Sequence, residues 1–406
     1  MSLPCTPYLW ASMIVSVLFV SILLFVLYSI LIIYYAISWR SIPNFKLLTA
    51  TEPRTTFSII IPARNEAQNI QACLQAICSQ HFPTALYEVL VVDDFSTDNT
   101  SGIVKNFPAK NVRLISLAEL TGHQQINSYK KKAIETAIAQ ATGEVIITTD
   151  ADCTAPPNWL HTIDVFYRQT TAAFIVMPVR YTCCNNFLEI FQALDFITLQ
   201  GITGASVHKH MHSMCNGANL AYTKKAFEDV KGFEGIDSIA SGDDMLLMHK
   251  IYTLQPHKVF FLKSTEVIVQ TQPMKTLKDF FNQRIRWASK ADKYDDKRIF
   301  AVLLLVYLFN VCMLILPLIS IFHYSPFIIH HSPFTIHYSL FTLWLLLLAG
   351  KTMVELFFLY PVANFFNEKK LLWWFPVAQP FHVCYTVVAG WLGKFGHYQW
   401  KGRSVK

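Results

Sequence analysis

Two aspartates, Asp150 and Asp152, have a spacing that suits the binding of a divalent metal ion. They are two residues apart and directly follow the apolar segment 144–149. In an extended segment, side chains two apart point to the same side, so both carboxylates can meet one ligand. Carboxylate oxygens are the ligands that Mg²⁺ and Mn²⁺ prefer, and such an ion neutralises the charge of a departing diphosphate. The pair therefore predicts a metal site for a phosphorylated substrate, although the isolated motif also occurs as two solvated loop acids.

A second acidic pair, Asp243 and Asp244, precedes an apolar stretch at 245–252 that has helical character. One acid at this position is explained by its favourable interaction with the helix dipole, but that explanation does not need both. A carboxylate can also take a proton from an acceptor hydroxyl. We therefore interpret Asp244 as a candidate general base.

An amphipathic helix predicted at 276–290 carries the sequence Gln-Arg-Ile-Arg-Trp at 283–287. Gln283, Arg286 and Trp287 are spaced i, i+3 and i+4, so they share one face of the helix. This face combines an amide, a guanidinium group that suits phosphate, and an indole that can stack on a sugar ring. The alternative is a basic helix that lies on a membrane surface with its tryptophan at the interface.

Two further clusters are less specific. The lysines at 130–132 begin a predicted helix, where cations oppose the helix dipole; this indicates an anionic ligand or simply a solvated charge run. Alternating histidines have the spacing of metal ligands on a strand, but no carboxylate pattern accompanies His208, His210 and His212. We therefore do not expect a metal there.

Alternating strands and helices position these residues. Short apolar runs predict five strands, at 58–61, 88–92, 112–116, 144–149 and 172–178. The strand-helix order predicts an α/β fold with a mostly parallel sheet and helices on both faces. Ligands of such sheets bind at the carboxyl ends of the strands. Asp93 and Asp94 end the second strand, and Asp150 and Asp152 end the fourth, so the acidic residues are predicted to share one edge.

The composition predicts a membrane protein. The chain has 406 residues, of which 53% are hydrophobic and 15% charged, against about 25% charged in soluble domains. Residues 1–39, 299–350 and 371–393 contain no Asp, Glu, Lys or Arg, and each run exceeds the roughly 20 residues that cross a bilayer. We predict a transmembrane helix at 9–37, a polar domain at 40–298, a membrane region of two or three segments at 299–393, and a basic tail at 394–406.

The charge distribution predicts the orientation. Arg40, Lys46 and Arg54 follow the first helix, so the positive-inside rule places the polar domain in the cytoplasm of a multi-pass protein, at the cytoplasmic membrane if bacterial. Nine cysteines without metal spacing agree with a reducing compartment. If segment 371–393 spanned the bilayer, the basic tail would lie outside, so we favour a kinked or re-entrant interfacial segment. The net charge of +7 is explained by the cytoplasmic face and not by nucleic-acid binding.

Five motifs occur in order, at 62–66 (Pro-Ala-Arg-Asn-Glu), 92–98 (Val-Asp-Asp-Phe-Ser-Thr-Asp), 149–152 (Thr-Asp-Ala-Asp), 242–244 (Gly-Asp-Asp) and 283–287. Together they resemble the membrane-bound family 2 glycosyltransferases with a GT-A (nucleotide-diphospho-sugar transferase) fold. Relatives in that family include cellulose, hyaluronan and poly-N-acetylglucosamine synthases and ceramide glucosyltransferases. The resemblance covers residues 57–290 and fits the flanking membrane helices.

The resemblance implies an inverting transfer of a sugar from a nucleotide-sugar that is usually UDP-linked. Asp152 would be the direct ligand of Mg²⁺ or Mn²⁺, with Asp150 beside it, and Asp244 would be the catalytic base. The remaining candidates for nucleotide-sugar binding are Pro62, Arg64, Glu66, Asp93, Asp94, Lys131, Asp150 and Arg286. Those for acceptor binding are Asn219, Asp243, Gln283 and Trp287. In the family the acid before the base is usually Glu, so the shorter Asp243 leaves the supporting role of this position open.

We expect the acceptor to be a membrane lipid or a lipid-linked glycan of envelope glycoconjugate synthesis. A processive polysaccharide synthase is the alternative, but one helix before the domain and two or three after it are few to enclose a channel for a polar polymer. An inactive nucleotide-sugar-binding scaffold would not need Asp244 and Trp287. A transporter is disfavoured because the long apolar runs lack intramembrane Asp and Arg.

Overall fold

The computed structural model describes residues 6–47, 51–122, 128–182, 186–237, 239, 242–290, 296–322, 333–395, 398–400 and 403–405. The strands are β1 (Phe57–Ala63), β2 (Tyr87–Asp93), β3 (Val112–Ser116), β4 (Val145–Thr148), β5 (Phe174–Val176), β6 (Val179–Tyr181), β7 (Leu220–Thr223), β8 (Val259–Phe261), β9 (Val269–Thr271), β10 (Tyr398–Trp400) and β11 (Arg403–Val405). The helices are α1 (Thr6–Ser41), α2 (Ile70–Cys78), α3 (Thr100–Lys105), α4 (Leu117–Thr121), α5 (Tyr129–Gln140), α6 (Trp159–Thr170), α7 (Phe187–His208), α8 (Lys224–Asp229), α9 (Asp243–Leu254), α10 (Leu277–Ala288), α11 (Lys297–Phe322), α12 (Pro333–Phe365) and α13 (Phe375–Phe395).

A seven-stranded sheet forms the core of the central domain, in the order β3-β2-β1-β4-β7-β5-β8. Its neighbours are parallel except that β7 runs antiparallel to both β4 and β5. A second small sheet pairs β6 with β9 in parallel. The predicted α/β fold with a mostly parallel sheet is therefore confirmed.

Both faces of the sheet are covered, which explains why its strands are almost continuously apolar. Along β1 the fully buried side chains alternate between two cores. Ile59 and Ile61 belong to a cluster inside the domain, with α2 and α6. Ile60 belongs to a cluster that continues into the membrane helices through Tyr35 and Trp39 of α1. One face of the sheet therefore shares its hydrophobic core with the membrane helices, and the other face has a separate core.

The polar residues Asn65 and Glu66 after the first strand predict the start of a helix, but α2 begins five residues after Asn65, at Ile70. Asn65 has a left-handed backbone, with φ of 53°, and this conformation cannot continue a right-handed helix. Its side-chain Oδ1 instead accepts a hydrogen bond from the backbone N of Thr97 at 2.8 Å. The segment after β1 is therefore a loop fastened to the loop after β2.

In the part of the chain that the structure describes, three helices are long and apolar enough to cross a membrane, over Val15–Ser41 of α1, Lys297–Ser320 of α11 and Leu340–Phe365 of α12. These agree with the predicted first helix and with two spans after the domain. The last apolar run forms a short 3₁₀ turn, Lys369–Trp374, followed by α13, which packs against α10 and α11. The interfacial position of 371–393 stays a prediction.

Candidate active site

The loops that follow β1 and β2 are joined at the carboxyl edge of the sheet, as predicted. The backbone N of Asp94 donates to the Ala63 carbonyl at 2.8 Å, which extends the pairing of the two strands. Arg64 Nη1 donates to the carbonyls of Asp94 at 2.8 Å and Phe95 at 3.2 Å. Hydrogen bonds therefore hold the predicted nucleotide-binding residues Arg64 and Asp94 together at the edge of the sheet. Pro62, a further candidate, is the sixth residue of β1 and precedes this edge directly.

Three acids on this edge, Glu66, Asp93 and Asp94, are buried. The Glu66 backbone N donates to Thr100 Oγ1 at 2.8 Å, and its carboxylate accepts from the Asn69 amide at 2.8 Å. The Asp93 Oδ1 atom is buried and has no hydrogen-bond partner among the described residues. A buried carboxylate oxygen without a donor is costly. Asp93 therefore fits a role in binding a ligand N–H or O–H group.

The predicted metal pair, Asp150 and Asp152, lies in the turn after β4, and its two carboxylates have different neighbours. Asp152 Oδ2 accepts a hydrogen bond from Thr271 Oγ1 of β9 at 3.2 Å. Asp150 Oδ1 accepts one from Lys130 Nζ of α5 at 2.8 Å. The pair thus connects the strand end to β9 on one side and to α5 on the other.

The donor atoms of this pair fit a divalent ion carried by a substrate. Among the described residues no group of three or more His, Cys, Asp or Glu side chains is close enough to enclose a metal. Mg²⁺ is usually held by one or two protein carboxylates together with substrate phosphates and waters, so such an enclosure is not required. The two hard oxygen ligands of Asp150 and Asp152 match that coordination.

Lys130 links the two acidic pairs. Its Nζ lies 2.8 Å from Asp150 Oδ1 and 3.4 Å from Asp243 Oδ2. Burial lowers the pKa of Lys130, but the carboxylates of Asp150 and Asp243 outweigh burial and raise it above the usual value. Burial likewise raises the pKa of Asp243, and the charges of Lys130 and Lys290 lower it below the usual range. The lysine therefore stays charged between the two carboxylates.

Lys131, the lysine predicted to bind the nucleotide, points elsewhere. Its Nζ donates to the carbonyls of Ile236 at 2.5 Å and Ile239 at 2.7 Å, and the side chain is buried. Burial lowers the pKa of Lys131 to about 8. The contacts therefore give Lys131 a role in holding the backbone at Ile236 and at Ile239, and Lys130 is the lysine beside the acidic pairs. The two residues differ because consecutive side chains on a helix point about 100° apart.

Asp244 lies in the first turn of α9, as Asp243 does, so both interact favourably with the helix dipole. The carboxylate of Asp244 also accepts two backbone hydrogen bonds, one of them from a residue outside α9. Its Oδ2 accepts from the backbone N of Gly217 at 3.1 Å, and its Oδ1 accepts from the backbone N of Met245 at 2.8 Å. These two contacts fix the half-buried candidate base in one direction.

Gly217 leaves space beside the candidate base. A Cβ atom at this position would lie 3.4 Å from Lys130 Nζ, 3.5 Å from Asp243 Oδ2 and 3.5 Å from Asp244 Cβ. Any larger side chain would fill the volume between the lysine and the two acids. The glycine thus keeps open the part of the site where both acidic pairs meet.

Asn219, predicted to bind the acceptor, is fully buried, and its side-chain amide forms hydrogen bonds within the protein. Its Oδ1 accepts from Trp159 Nε1 at 3.0 Å, and its Nδ2 donates to the carbonyls of Pro178 and Val267, both at 2.8 Å. The structure does not place this amide at an open surface. Through these contacts the side chain joins α6 to the segments at Pro178 and Val267 in the interior, and an acceptor role for it stays a prediction.

Helix α10 begins as predicted, with Thr276 as the N-cap whose Oγ1 accepts from the Asp279 backbone N at 3.1 Å. Gln283, Arg286 and Trp287 are all partly exposed. The indole of Trp287 lies 6.4 Å from the ring of Phe196 of α7. The predicted shared face is therefore open on one side and backed by α7.

Lys290 is a further cation near the candidate base, and the sequence analysis did not identify it. Burial lowers its pKa, the Asp244 carboxylate raises it and the Arg286 charge lowers it again, with a net decrease. Its spacing of four residues from Arg286 on a helical pattern could have indicated that it belongs to the same face. Among the described residues, Lys130 and Lys290 thus lie near the second acidic pair, and the charge of Arg286 acts on Lys290.

Replacing Lys130 with Met is expected to lower the free energy of unfolding by about 1–3 kcal/mol, because Asp150 and Asp243 lose their shared counter-ion. Thermal unfolding of the detergent-purified protein measures the loss. The matched control is Lys132→Met on the same helix, whose half-exposed pair with Glu135 at 3.0 Å is worth only about 0.2–1 kcal/mol. Equal destabilisation by the two variants would contradict the bridging role of Lys130.

The family models and the curated proteins that this chain matches all belong to the glycosyltransferases. Residues 58–231 match the family described as Glycosyl transferase family 2, and residues 145–391 match Glycosyl transferase family group 2. Glycosyltransferase AglE of Haloferax volcanii is 41% identical over 198 residues, which are 49% of this chain and 61% of that protein. Probable glycosyltransferase YdaM of Bacillus subtilis is 26% identical over 254 residues, 61% of this chain and 58% of that protein.

A third relative, the Beta-monoglucosyldiacylglycerol synthase of Synechocystis sp., is 24% identical over 247 residues, 59% of this chain and 48% of that protein. The chain thus spans about half to three fifths of the length of these curated relatives.

Among solved structures, the mannosyltransferase PcManGT from Pyrobaculum calidifontis, in complex with GDP-Man and Mn²⁺, is similar with a TM-score of 0.56 and 19% identity. The similarity covers 91% of this chain and 99% of that one, and it shows a shared fold. The match to Glycosyl transferase family group 2 extends over more than half of the 406 residues. The chain therefore belongs to the family 2 glycosyltransferases and has their GT-A fold.

Proposed function

We propose that this protein transfers a sugar from a nucleotide-sugar, with inversion, to a lipid or lipid-linked glycan at the cytoplasmic face of the membrane. The observation that carries the proposal is the contact between the two acidic pairs through Lys130, at 2.8 and 3.4 Å. It brings the candidate donor site and the candidate base together at one edge of the sheet. The GDP-Man and Mn²⁺ bound to the similar mannosyltransferase support a nucleotide-sugar donor.

The donor half of the site is the edge formed by the loops after β1, β2 and β4. Arg64, Glu66, Asp93 and Asp94 would hold the nucleotide there, with the unpartnered oxygen of Asp93 accepting from it. Asp152, with Asp150 beside it, would hold Mg²⁺ or Mn²⁺. A bound ion supplies positive charge for the diphosphate.

The acceptor half is centred on Asp244. Its carboxylate removes the proton of the acceptor hydroxyl, and the hydroxyl oxygen forms a bond to the anomeric carbon as the bond from that carbon to the diphosphate oxygen breaks. Arg286 and Lys130 stabilise the negative charge that develops on the leaving nucleoside diphosphate. The configuration inverts because the oxygen attacks the face opposite the leaving group, without a carboxylate acting as nucleophile.

The membrane-facing part of the chain supports a lipid acceptor. Helix α13 packs on α10, which carries Trp287, and leaves the apolar side chains of Trp373, Val377, Trp391 and Phe395 exposed at its own surface or just before it. Such a surface suits the boundary of a bilayer. The Synechocystis relative is a synthase of a glucosylated diacylglycerol, which agrees with an acceptor of this class.

We expect a short product of one or a few sugars on the lipid, since a polar polymer needs a protein-lined path and the described residues provide three candidate spans. The protein in sealed vesicles is incubated with labelled UDP-glucose, UDP-N-acetylglucosamine or GDP-mannose. Dioleoylglycerol or an undecaprenyl-diphosphate-linked sugar, each with a free hydroxyl, serves as the acceptor. Mass spectrometry of the lipid fraction should show the product, and Asp244→Asn vesicles are the control.

A long, lipid-free polysaccharide that crosses the vesicle membrane would instead favour a processive synthase. Binding of a nucleotide-sugar without any transfer or hydrolysis would favour the inactive scaffold.

A further inference from the structure

We infer that Arg284 is a positioning residue that fixes the acceptor face of α10, and that Asp195 of α7 and Tyr385 of α13 hold it in place. The inference rests on the proposed function, because it concerns how Trp287 is presented to an acceptor. Arg284 lies between Gln283 and Trp287 in sequence but outside the face that Gln283, Arg286 and Trp287 share.

The centre of this arrangement is a buried ion pair. Arg284 Nη2 lies 2.7 Å from Asp195 Oδ2, and the two side chains are only 4% and 6% exposed. The other oxygen of the same carboxylate, Asp195 Oδ1, accepts a hydrogen bond from the Tyr385 hydroxyl at 2.7 Å. One carboxylate thus joins α10 and α13 to α7.

The guanidinium group is also stacked against the candidate acceptor residue. It lies 4.3 Å from the ring centre of Trp287 and 5.1 Å from that of Phe280. Phe280 in turn contacts Tyr385, with ring centres 5.5 Å apart. A cation held over an indole restricts the orientations of that ring. The orientation of Trp287 therefore depends on where Asp195 holds the guanidinium.

A buried ion pair of this kind adds little to the stability of the fold. Desolvation of two charges largely offsets their attraction, and apolar side chains often replace such pairs without loss of stability. What the pair provides is position, because the guanidinium is attracted by charge to the carboxylate 2.7 Å away, without a hydrogen bond among the described residues, and lies over the indole at the same time. Lysine keeps the charge but cannot do both.

The arrangement also connects the acceptor face to the membrane-facing helix. Tyr385 lies on α13, whose exposed side chains include Val377, Trp391 and Phe395. An acceptor lipid that reaches Trp287 from the bilayer therefore passes along a helix anchored to the same carboxylate. We expect disturbance of this anchor to affect the acceptor and to leave the donor half unchanged.

The test compares Arg284→Lys and Tyr385→Phe with the unaltered protein. Acceptor KM is measured with whichever of dioleoylglycerol and the undecaprenyl-diphosphate-linked sugar the protein glycosylates, and donor KM and acceptor-independent donor hydrolysis are measured in parallel. Arg284→Lys should raise acceptor KM about tenfold, and Tyr385→Phe by a smaller factor of about 2 to 5. Donor KM and hydrolysis should change by less than about twofold.

Arg168→Lys is the matched control, because Arg168 pairs with Asp164 at 3.0 Å on α6, apart from the acceptor face. Tyr385→Phe removes one hydroxyl and keeps the test valid if Arg284→Lys does not fold. An unchanged acceptor KM in both variants, or an equal rise of donor and acceptor KM, overturns the inference. Absence of transfer by the unaltered protein instead overturns the proposed function, and the inference with it.

Discussion

Replacing Asp244 with Asn should lower kcat by at least about 10²-fold, the usual contribution of a general base, while nucleotide-sugar binding is retained. The neutral amide cannot take the acceptor proton, but the nucleotide is expected to be held by the separate edge formed by the loops after β1 and β2. The carboxylate accepts from the backbone N of Gly217 and of Met245. The Asn side chain can keep one of these contacts, so the loop at Gly217 should stay near its place.

The measurements are release of nucleoside diphosphate under saturating donor and acceptor, and donor Kd by calorimetry. Asp243→Asn is the neighbouring control, since its carboxylate faces Lys130 at 3.4 Å and is not assigned the proton transfer. Its loss of kcat should be smaller. If Asp244→Asn keeps normal turnover and loses donor affinity, the roles of the two halves of the site have been assigned wrongly.

Much of the fold follows from the sequence because local pattern and tertiary structure agree in the first half of the domain. The strands predicted at 88–92 and 112–116 match β2 and β3 to within one residue at each end. The apolar run of β2 fits a strand covered on both faces, whereas β3, at the edge of the sheet, carries the exposed Arg113 among its apolar residues. The same alternation of strands and helices places the acidic residues at one edge.

The pattern is less informative where contacts are distant in sequence. Strand β7 lies between β4 and β5 and runs antiparallel to both. Its four residues, Leu220–Thr223, have no periodicity that predicts this position or direction. Asn219 directly precedes it and is buried by contacts with Trp159 and Val267. A short polar residue before a strand reads equally well as a ligand-binding residue or a buried one, and only tertiary contacts decide between them.

Side-chain direction explains the differences within the site itself. Spacing predicts that Gln283, Arg286 and Trp287 share a face, and the lysines at 130–132 indicate either an anionic ligand or a solvated charge run. Spacing could not show which lysine faces the acids, because this depends on how α5 is rotated against the sheet. It also could not show that Arg284 meets Asp195, whose position 89 residues earlier in the chain has no local signature.

Removal of divalent cations is expected to abolish transfer, and Mg²⁺ or Mn²⁺ should restore it. The reason is the donor set at the end of β4. Asp152 is the stronger candidate ligand, since Asp150 Oδ1 already lies 2.8 Å from Lys130 Nζ and has a cation beside it. Asp152→Asn should therefore weaken donor binding and lower turnover together, by roughly 10²-fold or more in kcat/KM, because charge stabilisation of the leaving diphosphate is lost.

Asp150→Asn is the matched comparison, since it lies two residues away in the same turn. It should cost less donor affinity than Asp152→Asn, because Lys130 is released to approach the diphosphate. Both variants are assayed for donor Kd at several Mn²⁺ concentrations, and the affinity of the Asp152 variant should recover only at much higher metal. Full transfer activity in excess chelator would exclude a metal role for both carboxylates, and would leave Lys130, Arg286 and Lys290 as the charges that stabilise the leaving group.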